Sequence, residues 1–311
     1  MLRLEVILKK TGQVLITLLA VATFNFLLFR VLPGDPIRLL ARAGRLSPEA
    51  IARLRQTFGL DQPLSVQYLY FLRNLCNGEL GISFTYRRPV AEILQERITN
   101  TLILLGAATV IVVVVGVSAG MIAAAKRGTR IDGALVITSL VFWSLPTFWT
   151  GLILVIILGV YLNAFPVSGM VSPGLSPGAF FEQFWDTARH IILPTITLAI
   201  VDMGQFMLIT RSSLVDVLPE DYILTAKAQG LPFRRSIPPT ALYVSLLGGG
   251  AIQGETVFSW PGMGRLMYDA VLRRDYPLLE ASFLLSAAVV ILANFFSDIV
   301  YLLIDPRVKE A

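Results

Sequence analysis

"TLILLGAATVIVVVVGVSAGMIAAA", Thr101 to Ala125, holds no Asp, Glu, Lys or Arg. About 20 such residues, wound as a helix, cross the ~30 Å hydrocarbon core of a bilayer. A helix is the form that satisfies an apolar segment's backbone there. The rest of the chain agrees. Of its 311 residues, 55% are hydrophobic and only 15% are charged, with a mean hydropathy of +0.70. Soluble domains carry roughly one-quarter charged residues, so the polar surface is too small to cover a water-soluble globule. The composition predicts an all-α integral membrane protein with several spans.

Five further apolar stretches follow the same logic. The first runs from about Gly12 to Leu32, after Lys9 and Lys10. It is too long for a signal peptide, no small-residue cleavage site follows, and it is expected to stay as the first span. The third extends from near Ala134 to between Leu158 and Tyr161, and Pro146 in "WSLP" is expected to kink it. The fourth covers about Ile191 to Thr210, the Gly-rich fifth about Pro239 to Val257, and the sixth about Leu278 to Ile304. Six spans place both termini on one side.

Basic residues in short loops mark the cytoplasmic side. Lys9, Lys10, Lys126, Arg127, Arg130, Arg211, Lys227, Arg234, Arg235, Arg307 and Lys309 share one side, whereas the loop from Asn163 to His190 carries only Arg189. Both termini are therefore expected in the cytoplasm. The chain divides into a tail and first span (1–32), an external helical segment (33–98), a five-span core (99–304) with a cytoplasmic loop (212–238), and a cytoplasmic tail (305–311). In the external segment, "SPEAIARLRQTFGL" opens with Ser47 as an N-cap and Pro48 at the first helical position, and closes at Gly59. "QYLYFLRNLCNGELG" reads as a second amphipathic helix ended by glycine.

Several function classes are disfavoured. The net charge of +5 is scattered at the ends of apolar runs, not gathered on a soluble face, so no nucleic-acid partner is expected. One cysteine (Cys76) and one histidine (His190) exclude an intramolecular disulfide and argue against a Cys/His metal site or a catalytic set. No catalytic residue, metal or bound cofactor is expected. None of the five lysines follows a glycine, so the chain has no P-loop. If it pumps, ATP with its magnesium is hydrolysed by another subunit.

Between the fourth and fifth spans stands "DYILTAKAQGLPFRRSI", Asp221 to Ile237. Pro219, Glu220 and Asp221 suit a helix start, and Gly230 with Pro232 suits its end. The implied helix, roughly 16 Å long, is too short and too polar to span. Small and medium residues, Tyr222, Thr225, Ala226 and Gln229 or Gly230, lie along one side. A solvated connector is the plain reading of such a helix, and a docking surface the functional one.

"DYILTAKAQGL" resembles the cytoplasmic EAA-type loop of permease subunits in binding-protein-dependent ABC importers, in particular the peptide and nickel permease family. "LPGDPIRLL", "NGELGISF", "ILPTITLA", "TRSSLVDVLPEDY", "ETVFSWPGMGRLMYDAVLRRDYPL" and "DIVYLLIDPRV" are similar to that family in the same order. The resemblance implies a type I ABC-importer permease of six transmembrane helices with a cytoplasmic coupling helix. That helix would dock in a groove of a cytoplasmic ATPase through Asp221, Tyr222, Thr225, Ala226, Ala228 and Gly230. It also implies a second, similar permease subunit and an extracytoplasmic solute-binding protein, near which Trp260, Pro261 and Gly262 would lie. From the residues alone, "SWPGMG" is a turn carrying an interfacial aromatic. Two positions depart from the pattern. Leu224 stands where the wider consensus has Glu, and "LPFRRSIPP" after Gly230 is short by about ten residues, nearly three helical turns.

Polar side chains inside the spans are few: Asn25, Asp202, Gln205, Gln253, Asn294 and Asp298. In lipid they must face protein or a wet cavity. Asp202, Gln205, Gln253 and Asn294 are candidates for the translocation path, and Asp202 would suit a cationic or amine-bearing solute. Helix–helix hydrogen bonding is the equal alternative. The sequence thus predicts the pore-forming subunit of an ATP-driven importer of peptides or similar small solutes in the cytoplasmic membrane. The alternatives are a secondary transporter or channel, and a permease whose coupling is impaired by the short stretch after Gly230.

Overall fold

A computed structural model of the chain describes residues 2–31, 62–174, 180–221, 225, 228–229, 255 and 257–304. Among them the structure is helical, apart from one isolated antiparallel bridge between Ile82 and Pro89. The helices are α1 (Leu2–Val31), α2 (Leu64–Cys76), α3 (Val90–Val112), α4 (Ser118–Ala125), α5 (Arg130–Ser144), α6 (Thr147–Leu154), α7 (Phe180–Val217), α8 (Met263–Arg273) and α9 (Tyr276–Ile304). A π-helical turn, Val113–Val117, joins α3 to α4, and a second, Val155–Tyr161, extends α6.

Four of these helical stretches are long and apolar enough to cross a membrane: Glu5–Arg30, Val90–Ala125, Phe180–Val217 and Tyr276–Val300. A bent pair, Arg130–Ser144 with Thr147–Tyr161, makes a fifth if it is counted as one span. The expected span at Pro239–Val257 lies outside the described residues apart from 255 and 257, as does the expected helix at 47–59. The chain forms two compact units, Met1–Ile98 with Leu266–Phe295, and Thr99–Arg265 with Phe296–Ala311.

In the first unit, Phe26 of α1 is buried at 2% exposure, with Tyr68 and Phe71 of α2 at ring distances of 5.3 and 5.4 Å. Thr23 Oγ1 and Tyr68 Oη share a 2.6 Å hydrogen bond, and Asn25 Nδ2 donates to the Glu280 carbonyl of α9 at 3.0 Å. Asn25 is thus a helix–helix contact, the structural alternative for an intramembrane amide. Helix α2 ends at Asn77, where Gly78 takes a φ of +75° that a side chain would strain. The Glu79 N–H then closes on the Asn74 carbonyl, so the expected glycine stop is present. Helix α3 begins at Val90, ahead of the apolar run that starts at Thr101. Its first turns are amphipathic, with Val90, Ile93 and Leu94 buried and Glu92 and Glu96 paired with Arg88 on the exposed side. Hydropathy marked where the chain turns apolar, not where the helix starts.

In the second unit α7 is the spine. Its 38 residues make a helix of about 57 Å, longer than a bilayer core. It extends beyond the expected span at both ends and passes through Pro194 without a break. Against it pack the π turn, α4, α5 and α6. Glycine makes the closest approaches possible. A Cβ on Gly120 would lie 2.6 Å from Thr210 Cβ and 2.8 Å from the Met207 carbonyl oxygen, and one on Gly204 would strike the Ser139 backbone. The expected kink at Pro146 is instead a 98° break. Leu145 and Pro146 are both extended, at ψ of 130° and 128°, because a residue before proline is driven out of the helical region. Two successive extended residues turn the chain, where one proline in a helix would only bend it.

Candidate functional site

The end of α7 that the sequence assigns to the cytoplasm is held by an ion pair. Asp132, in the first turn of α5, is 5% exposed. Arg211 of α7 donates to it through both prongs of its guanidinium, Nε to Oδ1 at 2.6 Å and Nη2 to Oδ2 at 2.8 Å. The Gly128 N–H also donates to Oδ2 at 2.9 Å. One carboxylate thereby closes the turn between α4 and α5 and ties it to α7. A buried Ala124–Leu214 contact, flanked by Met121, Val215 and Leu218, runs beside it.

Beyond Val217 lies the candidate docking stretch. Asp221, Thr225 and Ala228 are helical and exposed. Thr225 Oγ1 donates to the Asp221 carbonyl at 2.9 Å, and the Gln229 N–H to the Thr225 carbonyl at 3.0 Å. Spacings of four and three residues put these three positions on one helix face. Tyr222, Ala226 and Gly230 lie outside the described residues. The first six residues of the expected loop, 212–217, belong to α7.

Of the candidates for the translocation path, Asp202 and Gln205 sit half-buried on α7, and Asn294 is exposed on α9. Gln253 lies outside the described residues. No group of three or more His, Cys, Asp or Glu able to hold a metal occurs among the described residues. His190 is buried beneath the Asp186 carbonyl, its Nδ1 at 2.8 Å.

The Trp260 turn is internal. Its indole is fully buried against Leu104, Ala108 and Leu198, not at the lipid–water interface where the sequence set it. The burial has a polar reason: Nε1 donates to the Asn100 carbonyl at 3.0 Å, while Asn100 Nδ2 donates to the Pro261 carbonyl at 2.9 Å. Glu255 organises the turn. Its carboxylate accepts from Thr101 Oγ1 and the Gly264 N–H, both at 2.6 Å, and its carbonyl accepts the Trp260 N–H at 2.9 Å. A Cβ on Gly262 would strike the Glu255 carboxylate, so a side chain there has to push that carboxylate off its donors.

Asp275, between α8 and α9, is fully buried. It accepts from Ser83 Oγ at 2.5 Å, the Phe84 N–H at 3.1 Å and the Thr85 N–H at 2.9 Å. It also caps α9 through the Leu278 N–H at 3.4 Å. Sequence reasoning missed Asp132, Glu255 and Asp275. Each is a carboxylate at the edge of an apolar run, and that placement was the available signal.

Comparison with known proteins shows the family. Residues 116–310 match the family described as the binding-protein-dependent transport system inner membrane component, and residues 1–105 match its N-terminal family. The chain is 36% identical to the dipeptide transport system permease protein DppB of Escherichia coli (strain K12), over 99% of both chains. It is 38% identical to the di/tripeptide transport system permease protein DppB of Pseudomonas aeruginosa (strain UCBPP-PA14), again over 99% of both. It is 32% identical to the oligopeptide transport system permease protein AppB of Bacillus subtilis (strain 168), over 97% of this chain and 98% of the relative. The alignment with the Escherichia coli protein extends over 336 positions, more than the 311 residues here, and so opens gaps in this chain. With its apolar helices and end-to-end similarity, the chain belongs to the family of inner membrane components of binding-protein-dependent transport systems.

Proposed function

We propose that the chain is the membrane-spanning subunit of an ATP-driven importer of di- or oligopeptides. The observation that carries this reading is end-to-end similarity to peptide permeases on a framework of long apolar helices. In this reading six spans cross the cytoplasmic membrane, with both termini inside. A second, similar permease completes the pathway, and a solute-binding protein delivers cargo at the outer face, near the turn of Trp260, Pro261 and Gly262. Partner ATPases hydrolyse ATP with magnesium, and their closure drives alternating access. Asp221, Tyr222, Thr225, Ala226, Ala228 and Gly230 form the docking face, a role supported by the exposed positions 221, 225 and 228. Asp202, Gln205, Gln253 and Asn294 are the candidates to meet the peptide, with Asp202 suited to its ammonium group.

A second reading, a permease with impaired coupling, is favoured by the short stretch after Gly230. One experiment separates the two. The purified complex, with its ATPases and binding protein, is placed in vesicles and offered labelled dipeptide. The proposal expects uptake that needs ATP and falls at least tenfold in Gly230→Pro, because proline cannot adopt the turn a C-cap glycine makes. An ATPase that co-purifies without uptake favours the second reading. Full uptake with ATP exhausted rejects both.

A further inference from the structure

We infer that the Asp132–Arg211 pair is a mechanical joint that carries movement of the cytoplasmic loop into the α4–α5 turn and α5. The inference rests on the docking reading above, which places the load at residues 221–229. Helix α7 runs unbroken to Val217, and the Leu218 and Glu220 N–H groups continue the turn onto the Leu214 and Val217 carbonyls. Only three residues separate the end of α7 from Asp221. A pull on the docking face therefore reaches α7 with little slack.

What α7 moves with it is decided one to two turns earlier. Leu214 is seated on Ala124, the penultimate residue of α4. Arg211 grips Asp132 with two bonds, at 2.6 and 2.8 Å. A single bond lets its partner swivel. Two parallel bonds from a planar fork fix distance and orientation together. The Gly128 N–H on the same carboxylate and the Thr129 N–H on the Lys126 carbonyl keep the intervening turn closed. Three helix ends thus move as one body. On the far side α5 runs to the 98° break at Pro146.

Stability alone is a poor reason for such a pair. Partial desolvation offsets some of the attraction between two charges, and apolar residues of similar volume often serve as well. What the ion pair adds is a defined geometry. Arg211 is accordingly a positioning residue: nothing here has it touch cargo or nucleotide.

The test compares wild type, Arg211→Lys, Asp132→Asn and the exchanged pair Asp132→Arg with Arg211→Asp in vesicles holding the complete importer. The readout is dipeptide taken up per ATP hydrolysed, alongside the melting temperature of the complex and the amount of ATPase that co-purifies. Arg211→Lys keeps charge and aliphatic stem but loses the fork. The joint predicts that uptake per ATP falls about tenfold in both single variants, that melting temperature and ATPase recovery stay near wild type in Arg211→Lys while Asp132→Asn, which leaves Arg211 unpaired, melts lower, and that the exchanged pair regains part of the ratio. A wild-type ratio in Arg211→Lys overturns the joint, as does a fall that only tracks loss of folded complex. If the wild-type complex transports without regard to ATP, the proposed function and the joint fall together. If the wild type proves ATP-driven and the variants match its uptake per ATP, the joint alone falls.

Discussion

At the scale of single residues, three buried carboxylates organise the ends of the helices. Asp275 accepts two backbone N–H groups and one hydroxyl from Ser83, Phe84 and Thr85, donors that would otherwise stay unsatisfied away from water. This explains why two stretches far apart in sequence, "NGELGISF" and "RRDYPL", belong together. In Asp275→Asn, one acceptor oxygen becomes an amide that opposes its donors. A lost hydrogen bond to a charged group costs about 1.5–3 kcal/mol, so local opening should become roughly ten- to a hundredfold more frequent. Amide hydrogen exchange over residues 81–89 should speed up by that factor, and unchanged exchange would refute the clamp. Glu255 serves the Trp260 turn in the same way. Sequence reasoning saw the tryptophan and missed its anchor, because hydrogen-bond partners 154 to 161 positions apart leave no periodic trace.

At the scale of elements, packing in the second unit depends on small residues along helix faces. Gly120 and Gly204 touch the α7 or α5 backbone so closely that even a methyl group must displace something. Gly133, in contrast, has nothing within 4 Å of its added Cβ. Gly120→Ala should destabilise the detergent-purified protein by about 1–3 kcal/mol, as overpacking does, and lower its melting temperature. Gly133→Ala should leave it unchanged. Equal melting of the two would contradict the close approach. Pro146 shows how element reasoning from sequence stops short. Proline was legible as a disturbance, but the size of the turn depends on two successive extended residues, Leu145 and Pro146. Each of the two halves, at 15 residues, makes about 22 Å of helix, less than a bilayer core.

At the scale of the whole molecule, the proposed topology sets which side each loop faces. The lone cysteine offers a direct check, since Cys76 is free and exposed at the end of α2. A membrane-impermeant maleimide added to intact spheroplasts should label it. In a Cys76→Ser background, a cysteine placed at Gly128 should stay unlabelled until the membrane is opened. Labelling in the reverse sense would invert the proposed orientation. The membrane also accounts for the exposed apolar surface. Leu15, Ile16, Phe24, Val290 and Phe296 are each more than half exposed on α1 and α9, a surface suited to lipid or to another permease and costly in water.

The sequence by itself determined the class: apolar runs without charge, at lengths matched to a bilayer, admit helices and little else, because lipid cannot hydrogen-bond a backbone. It also identified the family, since the motifs that carry the resemblance stand in order along the whole chain. Only the tertiary structure decided where α3 and α7 begin and end, that the span at Pro146 breaks, and which buried carboxylates meet which donors. The physical reason is that hydropathy and periodicity are local sums over neighbouring residues. The Asp132–Arg211 fork and the Asp275 and Glu255 clamps exist only once distant segments have been brought within 3 Å.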